Sequence, residues 1–97
     1  MKKIVISLGG SVLVPSLESN NIDRYVSVLK KMAGKCRIFI VVGGGGEARR
    51  YIGVARGLGG GEAAADELGI MVTRLNARLL IAGLGDAAYP RVAENYT

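Results

Sequence analysis

Two clusters of glycine carry the strongest chemical signal in the chain. Gly9-Gly10 follows residues 3–8 (KIVISL), and residues 43–46, all glycine, follow residues 37–42 (RIFIVV). Without Cβ atoms, successive backbone N–H groups can approach phosphate oxygens closely. The second cluster also opens a helical segment, whose first N–H groups and dipole favour an anion. Arg49 lies one turn inside that segment. From there its guanidinium can fold back onto the same phosphate through charge-assisted hydrogen bonds. One glycine pair would be explained by a tight strand–helix turn. Four in a row at such a junction, with a second cluster equivalently placed, point to phosphate binding.

The type of phosphate binder is narrowed by what is missing. A P-loop ends in Gly-Lys-Ser/Thr, and neither cluster has that lysine. The dinucleotide pattern is met locally by Gly43, Gly45 and Ala48, but it also needs an acidic residue ending the next strand about twenty positions on. Glu62, Asp66 and Glu67 lie near that distance in helical sequence, so a dinucleotide module is the second reading by spacing alone. Asp66 reads equally well as a carboxylate favoured by a helix N-terminus and as an acceptor for sugar hydroxyls, with Thr73 seven residues on along the same helix face. Tyr25, Tyr51, Tyr89 and Tyr96 are scattered and form no box.

These residues need a frame. Residues 3–8 and 37–42 are β-branched and almost continuously apolar, the pattern of strands buried on both sheet faces. Between them, residues 12–21 read as a loop containing Pro15. Asn21 is then the expected N-cap of a helix with Ile22, Val26, Leu29 and Ala33 on one face and Gly34 as its stop. Strand, helix and strand make a βαβ unit, so the sheet is parallel and both glycine clusters sit at its C-terminal edge, where ligands bind. A further helix is expected from about Glu47 to Arg56, ended by Gly57. A longer one starts near Glu62, with Leu68, Val72, Leu75, Leu79 and Ala82 as its apolar stripe and Gly69 as a point of bending, and Pro90 closes the helical region. Two strands make a poor core alone, so the reading is one half of something larger.

Composition agrees with a small α/β unit. The chain has 97 residues, 49% hydrophobic and 22% charged, with 15 glycines and a net charge of +5. A basic balance suits anionic ligands, but aromatics are few and no dense Lys/Arg run occurs, which argues against nucleic acid. The single Cys36 and the absence of His exclude an intrachain disulfide, a typical zinc site and a His-based triad, and suit a reduced, cytoplasmic protein. The apolar run after Lys2-Lys3 is too short for a signal-peptide core or a membrane span.

Three segments taken in order, KIVISLGGSVL, IFIVVGGGGEARRYI and ELGIMVTRLNARLLIAGL with AYP after it, resemble the archaeal uridylate kinases of the amino-acid-kinase superfamily across essentially the whole chain. The resemblance implies an α/β/α sandwich with a parallel sheet, of which residues 1–97 are the N-terminal, nucleotide- and phosphate-acceptor-binding part. It implies transfer of the γ-phosphoryl group of ATP to UMP with Mg2+ held through the nucleotide phosphates, in a homo-oligomer that is hexameric in the family. By the same resemblance Gly9, Gly10, Gly45 and Arg49 belong to the ATP site and Gly44 and Asp66 to the UMP site. No residue here is assigned as catalytic or as a metal ligand. Many superfamily relatives carry a lysine where this chain has Ser7, and several carry a side chain at the position of Gly46. Alternatives are an isopentenyl phosphate or amino-acid kinase of the same superfamily, or an inactive fragment that only binds phosphate or packs with a partner. The isolated chain is expected to be inactive.

Overall fold

The computed structural model describes residues 2–88. Two strands, β1 (Lys2–Leu8) and β2 (Cys36–Val42), pair in parallel with Lys2 opposite Cys36 and Leu8 opposite Val42. Between them come a single helical turn, α1 (Gly10–Leu13), and the amphipathic helix α2 (Ile22–Ala33). After β2 the chain enters α3 (Gly45–Gly57), then α4 (Gly61–Leu84) and a 3-10 turn at Gly85–Ala87. The order β1, α2, β2 is the expected βαβ unit.

Alternation along the strands decides where the core lies. Ile4, Ile6 and Leu8 of β1 turn the same way as Ile38, Ile40 and Val42 of β2, toward α2 and α4. The opposite sheet face carries Val5, 72% exposed, together with Phe39 and Val41, and no described element covers it. The expectation of strands buried on both faces therefore holds for one face only. The cause is the number of layers: all the described helices that meet the sheet cover a single side of it.

The segment expected to be a loop supplies the centre of the core. Leu13 and Val14 are the largest fully buried side chains, and they join Leu8, Val26, Leu29, Leu80 and Leu84 in one cluster. Each such burial is worth about 1.5–3 kcal/mol, which is ample reason for the chain to coil once before Pro15. Val12 and Leu13 donate their N–H groups to the Gly9 oxygen and close that turn. Asn21 occupies the N-cap position of α2 without capping it. Its amide instead donates to the Val12 carbonyl at 2.7 Å, while the Asn20 carboxamide oxygen accepts from Ile22 N–H at 3.2 Å.

Helices α3 and α4 form a hairpin. Their turn is clamped by Arg56, whose Nε and Nη2 donate to the two Glu62 carboxylate oxygens at 2.9 Å each. Glu62 is held below its ordinary carboxylate pKa by that hydrogen bond and by the Arg56 charge. Arg56 is raised by Glu62, with a smaller contribution from Asp66. Gly69 does not interrupt α4, which runs unbroken from Gly61 to Leu84. A Cβ at Gly69 would stand 3.1 Å from Ile52 Cδ1, so its missing side chain lets α3 approach.

The expected apolar stripe of α4 is also corrected. The buried face is Ala65, Val72, Asn76, Leu80 and Leu84, whereas Leu75 is 59% exposed and Leu79 lies outside with it. The helix has apolar residues on nearly every side, so its sequence offers more than one stripe, and packing selects the one that contains an asparagine. By length and composition α4 could span a bilayer, but in the fold it packs along α3 and against α2 and β2. Tyr89, Pro90 and Tyr96 lie outside the described residues.

Candidate phosphate-binding site

The sheet register brings the two glycine loops together. Leu8 and Val42 are opposite one another, so both chains leave the sheet at the same height, and Gly43 N–H adds one more bond to the Leu8 oxygen at 3.0 Å. Beyond that point the loops touch backbone to backbone. A Cβ on Gly10 would collide with the Gly45 nitrogen and stand 2.5 Å from the Gly43 oxygen. Gly45 itself has φ +65, and a Cβ there would stand 2.7 Å from the Gly10 carbonyl carbon. Positive φ and a main-chain neighbour at that distance both demand glycine.

Helix α3 starts inside the glycine cluster, two residues earlier than the sequence suggests. Its first N–H groups therefore belong to the loop itself. Ala48 N–H reaches the Gly44 oxygen at 3.4 Å, and neither Gly44 N–H nor Gly45 N–H has a backbone acceptor among the described residues. A helix entrance whose first N–H groups lack backbone acceptors, walled by a second glycine loop, is a type of place that favours an anion.

Arg49 stands at the join. It is exposed, and its Nη2 donates to Ser11 Oγ at 3.4 Å, crossing from α3 to the helical turn α1 that follows β1. Gly9, Gly10, Gly44, Gly45 and Arg49 are thus brought to one place. Ser11 joins them, a residue to which the sequence alone gives no role. Its one detectable signal was its position directly after the glycine pair.

Asp66 is set apart. It is exposed on the first turns of α4. Thr73, one α4 face down, has its methyl carbon 3.4 Å from where a Gly44 Cβ would stand, and its hydroxyl donates to the Ile70 carbonyl. Seven residues of helix rise put Asp66 roughly 10 Å from Thr73 along that face. Helical spacing thus places Asp66 on the Thr73 side of α4, about two turns nearer the helix N-terminus. Glu62 and Glu67 share α4 with Asp66, so the acidic strand end that a dinucleotide site requires is not supplied by any of the three. Ser7 is exposed on the open face of β1. Among the described residues no three His, Cys, Asp or Glu side chains gather into a metal-binding group.

Asn76 is the second residue that sequence reasoning passed over. It is the one buried polar residue among those described, 4% exposed, and its amide donates to the carbonyls of Gly43 at 3.0 Å and Gly44 at 3.2 Å. The spacing 72, 76, 80 would have exposed it, had a polar residue been allowed in the stripe.

Comparison with known proteins adds to this geometry. Residues 2–93 match the amino acid kinase family. A uridylate kinase of Methanoculleus marisnigri is 94% identical over 97 residues, which is 100% of this chain and 42% of that protein. A uridylate kinase of Methanoregula boonei is 63% identical over the same 97 residues, again 42% of its own length. The crystal structure of uridylate kinase from Archaeoglobus fulgidus has the same fold, with a TM-score of 0.85 at 43% identity over 98% of this chain and 42% of that one. The chain spans about two fifths of the length of these relatives.

Proposed function

The chain belongs to the amino acid kinase family, and we propose that it forms the phosphate-gripping part of a uridylate kinase that transfers the γ-phosphoryl group of ATP to UMP, giving ADP and UDP. The observation that carries this reading is the lock between the two loops. Gly45 is held at φ +65 against the Gly10 backbone, and Arg49 reaches Ser11 across the join. High identity with uridylate kinases supports UMP as the acceptor.

Phosphoryl transfer between two nucleotides asks little covalent chemistry of the protein. It asks that two polyanions be held in line and their charge offset. In the proposed arrangement Gly9, Gly10 and Gly45 present N–H groups to ATP phosphates, and Arg49 adds a fixed positive charge. Gly44 presents its N–H to the phosphate of UMP. Asp66, further along α4, accepts from the ribose hydroxyls, a span that suits a nucleoside 5′-monophosphate lying on that face. Mg2+ would be held here through the nucleotide phosphates, because the described residues of the site offer backbone N–H groups rather than clustered carboxylates; when bound it would offset phosphate charge. Ser7 supplies no cation, so no catalytic side chain is assigned. We further propose a cytoplasmic homo-oligomer, with the exposed Ile70, Met71 and Leu75 of α4 facing a second copy.

The test is a substrate screen on the full-length protein carrying this sequence, with ATP as donor. UMP is expected to be the preferred acceptor over other nucleoside monophosphates, isopentenyl phosphate and amino acids. Equal turnover of several unrelated acceptors would overturn the reading, and NAD(H) binding tighter than ATP or UMP would replace it with a dinucleotide module.

A further inference from the structure

A buried asparagine in an otherwise apolar helix face has to be explained. At the Asn76 position a leucine would bury more apolar surface and leave no amide to satisfy. The neighbours of Asn76 along the buried face of α4 are Val72 and Leu80. What distinguishes position 76 is the pair of carbonyl oxygens opposite it, those of Gly43 and Gly44, both within hydrogen-bond reach of the same amide nitrogen. Only the NH2 end of the carboxamide can face two acceptors, so the chemistry fixes which way the side chain is turned.

The peptide geometry carries this further. The described residues contain no cis peptide bond. In a trans peptide the C=O and N–H point in opposite directions. Turning the Gly43 and Gly44 carbonyls toward α4 therefore turns the N–H groups of Gly44 and Gly45 away from it, out of the core. Gly45 nitrogen is the atom nearest to where a Gly10 Cβ would stand, so that peptide lies at the join of the two loops. A tract of glycines has little intrinsic preference between this orientation and a flipped one. Two hydrogen bonds from one rigid helix side chain select it.

We propose that Asn76 is a positioning residue for phosphate binding: it holds the Gly43 and Gly44 carbonyls so that the Gly44 and Gly45 N–H groups present together to the nucleotide phosphates. This rests on the functional reading above. It gives the long helix α4 an indirect part in phosphate binding, through the Gly43 and Gly44 carbonyls that Asn76 holds.

The test compares Asn76→Leu, which keeps the branched shape and heavy-atom count and removes both donors, with Leu80→Ala, which opens a cavity one turn along the same face without touching the loop. Both are made in the full-length protein carrying this sequence. Phosphate binding is followed by the amide NMR shifts of Gly44 and Gly45 on titration with inorganic phosphate, ATP and UMP, and kinase activity by separate KM and kcat values. Asn76→Leu is expected to abolish the ligand-induced shifts at Gly44 and Gly45. It is also expected to lower kcat/KM by on the order of tenfold to a hundredfold, the scale of a misplaced binding group. Leu80→Ala is expected to lower Tm while leaving those shifts and both KM values in place. If Asn76→Leu responds to the ligands as the wild type does, or if Leu80→Ala loses binding equally, Asn76 is only a core residue and the proposal fails. If wild-type Gly44 and Gly45 respond to none of the three ligands, the functional reading itself fails and takes the proposal with it. Should Asn76→Leu not fold, Asn76→Asp serves the same comparison: its carboxylate faces the two carbonyls with no amide donor, and unchanged ligand shifts would overturn the proposal.

Discussion

An alanine at position 45 would have to hold φ near +65 and push a methyl group to 2.7 Å from the carbonyl carbon of Gly10. Strain of this kind costs at least about 2 kcal/mol, and the clash is with main chain that cannot rotate aside. Gly45→Ala is therefore expected to lower the urea midpoint and to weaken ATP binding together. Gly53→Ala, where a Cβ meets nothing within 4 Å, should do neither. The side chains around the loop should behave differently from the glycines. Asp66→Ala is expected to raise the KM for UMP by about tenfold to a hundredfold, the worth of a charge-assisted hydrogen bond, with little change in the KM for ATP. Arg49→Lys keeps the charge but loses the planar fork, so initial-rate assays should give a raised KM for ATP despite the conservative substitution. At this scale the sequence was informative where chemistry is local. A glycine tract at a strand–helix junction reads directly as an anion seat. The contact between Gly10 and Gly45 does not, because it depends on the register of two strands far apart in the chain.

Between residue and molecule stand the helices, and α4 is the one whose face was misjudged. Leu80 is 3% exposed and Leu75 is 59% exposed, although the spacing alone favours Leu75 as core. Leu80→Ala should cost about 2–5 kcal/mol in chemical denaturation, and Leu75→Ala less than about 0.5 kcal/mol in a monomeric state. Periodicity failed here because it treats a polar residue as a break in the stripe, and Asn76 is the residue that the stripe is built around. The loop before α2 was misjudged for a related reason. Pro15 and the two asparagines are turn formers, and they masked Leu13 and Val14, which are short in sequence but central in packing. The α3–α4 turn carries its own pH dependence. Glu62 is depressed by Arg56, so the pair's contribution is present above the ordinary carboxylate range and is lost as pH falls through the lowered Glu62 value. Amide exchange in the turn residues 57–61 should accelerate in that acidic window and on adding salt, and Glu62→Gln should remove the acid-side change.

The described part of the chain is more open than its length requires. Its radius of gyration is 14.6 Å, against about 13 Å for a compact domain of similar size. One sheet face shows Val5, Phe39 and Val41 to solvent, and α4 shows Ile70, Met71 and Leu75 on its outer side. If the outer side of α4 meets a second copy, Leu75→Lys should shift the full-length protein to smaller species in light scattering while its amide spectrum stays folded. The isolated chain of 97 residues should give no turnover, and turnover from it would show that the grip described here suffices alone. The sequence made the parallel βαβ unit legible, because two β-branched runs flank one amphipathic helix. It left the uncovered sheet face invisible, because an apolar strand reads the same whether one or both of its sides are covered. The crowding of Gly10 against Gly45 has a consequence for how such a protein can diverge. What the join offers a phosphate is peptide N–H, the same in every amino acid, and the space where a side chain might have modulated it is already filled by main chain. Point substitutions at Gly10 or Gly45 themselves can ruin the proposed grip but cannot retune it. On the proposed function, a lineage that takes up a new acceptor would edit outlying positions such as Asp66 and carry the glycine join forward unchanged.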